Sequence, residues 1–532
     1  MKTFKKSSSR RRINHEAFVR IVAGALICQT AWSAPLVTEL PKGEAVIKGD
    51  VIINRAIDSP TMSINQKTDR AIINWDSFNI GQEATVNFNQ PTNKSSILNR
   101  IIGDSPSQIF GRINSNGHVV LMNQSGVYFS PTSRLDVGSI TVTSHSMSDD
   151  DFMAGSNTYR RYGALGKIMN EGEIKTALGG YIAMLAPEVR NNGVMLSEMG
   201  SVVMASGEQI TINFDPNNHL ASISADPSLV ETLIENKHAV AVNGGTIILS
   251  ANAVNELVGA VINQKGILDA SSSTAMVIEG GRIVLTSNEI NIEGGSKTLA
   301  NGANRGGQIL IGGSWQNTDR SISQSIITRV EKLALIQASA TGLGDGGEIV
   351  IWSDIHNTNS STSVKGTLET KGGLYGGLGG QIETSGYSVT LAGAKIDAGL
   401  DGLWLIDPSD VVIDSSTVPT INGALNSGTN VTVTTESNTA NTLTVNSIIT
   451  KTSGSDAKLT LIGGTININQ NILVSGSGKL NLTLDGNNIN FNKTLTLNGG
   501  VLDVSVGTSG TLSALTGTGT FIKNNAGTYT VN

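Results

Sequence analysis

Residues 113–131 read INSNGHVVLMNQSGVYFSP: short apolar strands set between two Asn/Gly corners, Asn114–Gly117 and Asn123–Gly126. Glycine takes the positive φ that a sharp bend needs, and asparagine is the next best residue for it. Strands this short cannot build a core with their immediate neighbours. The chain must come back above itself and stack.

Downstream the stacking shows as a repeat. Residues 170–190, NEGEIKTALGGYIAMLAPEVR, align with 191–211 at an offset of 21. The alignment pairs Gly172 with Gly193, Ile174 with Met195, Gly179 with Gly200, Ile182 with Val203 and Val189 with Ile210. One such unit leaves its apolar face uncovered, whereas stacked coils cover one another. Further on, a Gly-Gly pair opens an alternating strand five times: NGGTIILS at 243, EGGRIVLT at 279, RGGQILIG at 305, DGGEIVIW at 345 and LGGQIETS at 378. Their spacing suits one to two coils each, with loops inserted at corners, and asparagines at equivalent corners can stack their amides along the axis. The fold class expected is all-β, a parallel β-solenoid with extra loops and hairpins. Composition agrees: glycine is 61 of 532 residues and charged residues are 15%, which favours many short strands over helices.

Two polar stretches read as excursions from the stack. Residues 144–163 contain Asp149–Asp151, expected in a solvated loop, and residues 213–238 contain SLVETLIENK, expected as the only short helix. From about 411 the chain grows richer in Thr, Asn, Ser and Val, and Arg329 is its last arginine. That shift marks a more uniform distal segment beyond a junction at GLWLIDPSD, 402–410.

The first 33 residues read as a signal peptide. Lys2, Lys5, Lys6, Arg10, Arg11, Arg12 and Arg20 make a basic leader, IVAGALICQTAW is a short apolar run, and Ala31-Trp32-Ser33 places small residues for cleavage between Ser33 and Ala34. Its removal takes seven basic residues and one acid (Glu16) from totals of 37 and 43, leaving 30 against 42, a balance of −12. That balance opposes nucleic-acid binding through phosphates. The only cysteine, Cys28, leaves with the leader, so the mature chain has no disulfide to hold it shut.

Chemistry is sparse. The six histidines, His15, His118, His145, His219, His238 and His356, show no paired metal spacing. His118 is expected as an exposed turn neighbour. Asp407-Pro408-Ser409-Asp410 is a weak calcium signal beside an ordinary Asx-turn. Asp401 and Asp407 are a formal carboxylate pair for glycoside hydrolysis with nothing to set their separation. No catalysis, metal or cofactor is expected. Asn-x-Ser/Thr acceptor sequences occur at Asn93, Asn123, Asn359, Asn430, Asn481 and Asn492, as chance alone often produces in so Asn/Thr-rich a chain.

Residues 72–131 resemble the N-terminal secretion domain of two-partner-secreted exoproteins, the filamentous haemagglutinins and high-molecular-weight adhesins. The matching residues are Asn74, Trp75, Phe78, Asn79 and Ile80, then Val86 and Phe88, Leu98, Asn99 and Arg100, and Ser107, Ile109 and Gly111. Asn114, Asn116, Gly117, Val119, Leu121, Asn123 and Gly126 complete the run. One departure stands out. The family's Asn-Pro-Asn-Gly is Asn123-Gln124-Ser125-Gly126 here, a corner without its proline, although Gly126 can still supply a positive φ. The resemblance covers most of residues 35–413 and implies a right-handed parallel β-helix over residues 34–290; the helix is expected to continue through 291–410, and the composition shift marks a distal solenoid over 411–532. It also implies export as an unfolded chain through an outer-membrane TpsB-type transporter, a barrel with POTRA domains. The secretion motif would then comprise Asn74, Trp75, Phe78, Asn79, Asn99, Arg100, Asn114, Asn116, Gly117, Asn123 and Gly126. The expected product is an adhesin, secreted or displayed on a Gram-negative cell by way of the periplasm. The alternatives are a haem or haemopexin scavenger, and the front part of a haemolysin or contact-dependent toxin.

Overall fold

The computed structural model describes residues 33–532 apart from 58, 216–218, 255–257, 273–277 and 436–440. The signal-peptide reading lies outside the described residues except for Ser33. Pro35–Asn532 forms one compact unit. In it, the two corners of 113–131 separate strands Arg112–Ser115, His118–Met122 and Gly126–Phe129. Each strand joins a different sheet and pairs in parallel with its counterpart in the next coil. His118–Met122 lies against Ser139–Thr143, Gly126–Phe129 against Lys167–Asn170, and Arg112–Asn114 against Arg134–Asp136. The chain is a three-faced parallel β-helix. We call the sheet holding His118–Met122 the first face, that holding Gly126–Phe129 the second and that holding Arg112–Ser115 the third.

The inward side of the first face shows why these residues stack. One ladder runs Ala71, Ile97, Val119, Ile140, Ile182, Val202, Ile247, Ile283, Ile309, Ile349, Ile382, Trp404, Val431 and Leu459, each in register with the next. All are fully buried, and each large aliphatic rung contributes roughly 1.5–3 kcal/mol of burial. The five Gly-Gly strands form consecutive rungs of this sheet: Thr246, Arg282, Gln308, Glu348 and Gln381 are paired in that order. Every interval is therefore a single coil, its length varying only with the loop at the corner.

The repeat at 170–211 is partly re-registered. Ile174 meets Met195 as expected, but Ile182 meets Val202 rather than Val203, and Val189 meets Ile234 rather than Ile210. Ile210 belongs instead to an antiparallel hairpin, Gln209–Phe214 with Leu220–Ala225, joined by Thr158–Arg160. This excursion leaves the stack because the outer side of the first face is itself apolar there. Ile72, Leu98, Val120, Ala183, Val203 and Ile248 point outward and are covered by Phe152, Tyr159, Ile210, Ile212 and Leu220. Farther along, Ile322 and Trp315 cover Val284, Leu310, Val350 and Trp352 in the same way.

Two local expectations are corrected. Asp149–Asp151 form the first turn of helix α1, Asp149–Ala154, not a solvated loop. Ser148 caps its N-terminus through the Asp151 N–H, and Gly155 closes it at φ +84°; the capping signal was Ser-x-x-Asp followed by glycine. SLVETLIENK is not a helix. Its Thr232–Asn236 portion is a strand of the second face, between Glu188–Asn191 and Ala260–Gln264. There Ile234 is driven inward onto Val189 and Ile262, and stacked neighbours override local preference. A second α-helix, α2, Val418–Asn426, packs beyond the last strands of the second and third faces, Ser388–Thr390 and Lys395–Asp397. Past it one stretch repeats at an offset of 23, from Ala457↔Leu480 to Ile468↔Phe491, and the offset shortens to 19 at Ser509↔Thr528. Stacked amides accompany the offset of 23: Asn469 donates to Asn446 at 3.0 Å and Asn492 to Asn469 at 3.1 Å. At the other end, Ala45–Lys48 and Val51–Arg55 pair antiparallel with the first coil and cover its strand edges.

Candidate functional site: the motif of the first coils

The motif residues gather in the first three coils, and most of them fasten one coil to the next. Trp75 is buried and its indole N–H donates to Asn99 Oδ1 at 3.1 Å, while its ring meets Phe78 edge-on at 5.3 Å. Asn99, fully buried, donates to the Val120 carbonyl at 3.4 Å. Asn79 accepts the Gln108 N–H at 2.9 Å. Asn116 pairs with the backbone of Gln90 in both directions, accepting its N–H and donating to its carbonyl at 2.8 Å each. At Gly117 a Cβ would stand 2.7 Å from the Ser95 carbonyl oxygen. Only glycine fits that approach.

The proline-less corner holds by other means. Asn123 is buried and donates to the Ser105 carbonyl and Ser107 Oγ at 3.0 Å each, while its own Oδ1 accepts the Ser125 N–H at 2.9 Å. Gly126 takes φ +103°. An Asx-turn and a left-handed glycine thus replace the rigidity of proline. Arg100 does something different. It reaches Asn74 Oδ1 at 3.4 Å, the Met147 carbonyl at 3.0 Å and Asp149 at 2.6 Å, tying α1 to the stack. Asn114 is exposed, and its amide continues a surface ladder by donating to Asn87 Oδ1 at 2.8 Å.

Sequence reasoning missed Gln90 and misjudged His118. Gln90 is buried and its amide bonds Gln66 and the Ser95 carbonyl, making it the hub of the first coils. His118 is no exposed turn residue. It sits half-buried at the start of a first-face strand, with Nε2 3.0 Å from both Thr141 Oγ1 and the Tyr181 hydroxyl, and Nδ1 3.2 Å from Ser96 Oγ. Burial, with Arg70 nearby, pushes its pKa down to about 3, so it stays neutral. His145 is buried against the Gly207 carbonyl at 2.8 Å, and burial lowers its pKa too. Among the described residues no cluster of three His, Cys, Asp or Glu side chains is placed to hold a metal ion. Of the acceptor sequences, Asn93, Asn359 and Asn492 are exposed, Asn430 and Asn481 are half-exposed, and Asn123 is buried with its amide engaged.

Residues 40–285 match the family model described as the TPS secretion domain. That segment is thus similar to the secretion domain of two-partner-secreted exoproteins. It is 27% identical over 225 residues to a heme/hemopexin-binding protein of Haemophilus influenzae strain Rd, covering 41% of this chain and 24% of that one. A second H. influenzae heme/hemopexin-binding protein is 24% identical over 280 residues, covering 48% and 30%. The matched region thus spans less than a third of these relatives' length. The crystal structure of the HMW1 secretion domain from H. influenzae superposes with a TM-score of 0.55 at 24% identity, over 69% of this chain and all of that one, a likeness of fold.

Proposed function

We propose that this chain is an exoprotein sent to the outside of a Gram-negative cell by the two-partner route and adhesive once there. Its partner is an outer-membrane TpsB-type transporter whose POTRA domains and barrel receive it unfolded. The carrying observation is that the motif residues lie within the segment matching the TPS secretion domain and converge on the first coils. The chemistry suits unfolded passage. Residues 34–532 contain no cysteine, and each coil, once outside, offers a templating edge to the next. Among the described residues no helix is long and apolar enough to cross a membrane. The exposed members of the motif, Asn114 and Asn116, are its address, and the buried ones set the first coils. Residues 34–290 act as the secretion domain, 291–410 extend its helix, and 411–532 form the distal solenoid. Cleavage between Ser33 and Ala34 releases the mature chain, whose exposed Asn93, Asn359 and Asn492 are the acceptors open to glycosylation. The test is co-expression with a TpsB-type partner. Wild-type chain should reach the medium, and Asn114→Ala with Asn123→Ala should stay inside at unchanged expression. Equal medium levels would refute the address.

A second reading, capture of haem or of a haem-carrying protein, is supported by the names of the two curated relatives. Pull-down of haemopexin or haem spectroscopy by the secreted chain, set against cell binding, separates it from adhesion.

A further inference from the structure

Where the third face turns into the first, a trough runs along the outside of the helix. Its floor is the series of Gly-Gly corners. It crosses six rungs, from Gly245 to Leu403, about 24 Å at ~4.8 Å per rung, and encloses about 640 Å³. The bare floor is forced by stacking. A Cβ at Gly281, Gly307, Gly347 or Gly380 would lie 2.0–2.1 Å from a glycine carbonyl of the preceding rung. A channel free of side chains follows from that contact. The glycine N–H groups are spent inside the fold: Gly307 donates to Ala300, Gly347 to Ala338 and Gly380 to Thr370, at 2.6–2.7 Å. No nest of free N–H groups remains to cradle a phosphate, so recognition falls to the walls.

One wall is a hydrogen-bonded chain along the axis. Arg282 Nε donates to Gln308 at 2.8 Å, Gln308 to Glu348 at 2.7 Å, and Gln381 to the other Glu348 oxygen at 2.5 Å. The terminal guanidinium nitrogens of Arg282 have no acceptor among the described residues. Glu279, Arg305, Asp345 and Asp401 also line the trough. Arg305 is exposed and has no ion-pair partner among the described residues; Asp345 uses one oxygen for the Leu378 N–H at 2.7 Å.

We propose that this trough binds an uncharged, hydroxyl-rich oligosaccharide lying along the helix axis. Guanidinium groups only donate and carboxylates only accept, and here both kinds line one trough. A ligand whose every group both donates and accepts satisfies such walls, and vicinal hydroxyls do. Four carboxylates against two guanidinium groups repel a polyanion. A peptide would need apolar pockets or a free strand edge; Leu403 is the one large apolar residue among the described lining. The side-chain-free floor lets flat sugar rings approach the backbone.

The proposal deepens the adhesive reading and names its ligand class. The test is calorimetric titration of the full secreted chain with cello-, malto- and manno-oligosaccharides, with heparin as the polyanion. One neutral series should bind, more tightly as its chain lengthens toward the trough's span. Arg305→Ala and Asp345→Asn should each weaken it about tenfold or more, with thermal midpoints unchanged. Because Arg305 is exposed, Arg305→Ala alone decides the matter if Asp345→Asn misfolds. No neutral binding, binding indifferent to Arg305→Ala, or preference for heparin would overturn the proposal. Export is measured separately in cells, so failure here leaves the secretion reading standing, and failure of export leaves this one.

Discussion

Asn191 donates its side-chain amide to Asn236 Oδ1 at 2.8 Å, although 45 residues separate them and a hairpin lies between. The contact belongs to a buried ladder in which Asn170 donates to Asn191 and Asn236 donates to Gln264, both at 2.8 Å. Each amide satisfies its neighbour, so the coils are locked in register by groups that would be costly to bury singly. Asn191→Leu leaves Asn170 without its acceptor and Asn236 without its donor. It should cost about 2–4 kcal/mol, read as a lower urea midpoint and faster amide exchange in strands 167–170, 188–191 and 232–236.

The two motif asparagines should separate stability from address. Asn114 is exposed, so Asn114→Ala should change stability by less than about 0.5 kcal/mol. Asn123→Ala removes three side-chain hydrogen bonds, one of them buried, and should cost about 1–3 kcal/mol. Secretion that falls equally in both, with unfolding midpoints that differ, would show that the transporter reads asparagine itself. Secretion that tracks the midpoint would show that it reads folding.

At the Gly-Gly corners the demand is steric. Gly347→Ala would set its Cβ 2.0 Å from the Gly307 carbonyl, and backbone cannot yield as a flexible side chain does. A destabilisation of about 1–3 kcal/mol or more is expected, localised by proteolysis to coils 306–380. Gly423→Ala, in α2 with nothing near its added Cβ, should be neutral or stabilising.

Arg100→Met should release the extra-helical cap. Its guanidinium holds both the Met147 carbonyl and Asp149, and Met retains the apolar stem. The β-helix should keep its strand signal in circular dichroism while α1 becomes sensitive to protease near residues 148–157.

Glu383 supplies a pH dependence. It is fully buried on the first face, accepting the Gln316 N–H at 2.8 Å and the Ser385 hydroxyl at 2.9 Å. Burial, together with Asp407 and Glu348, raises its pKa from 4.5 to about 8 against those two hydrogen bonds. A folded-state pKa above the unfolded one means that its contribution is fully present below pH 4.5 and is lost as pH rises through about 8. Exchange protection in the 313–325 segment should therefore fall across that window. In Glu383→Gln the fall should vanish.

What was legible in the sequence is what each coil demands locally. The corners at Asn114–Gly117 and Asn123–Gly126, the Gly-Gly strands and the asparagines at equivalent bends all announce a turn or a close approach whatever lies beyond. Hence the stacked architecture could be read directly. Tertiary structure alone decided which coil meets which. Val189 passes over Ile210 to meet Ile234 because the outer side of the first face, apolar in its own right, draws the 209–225 hairpin out to cover it. Stacked strands likewise bring Ser96, Thr141 and Tyr181 around His118, while the loop around Trp315 brings the Gln316 N–H to Glu383. Both environments are made by segments distant in sequence, and no local pattern carries that information.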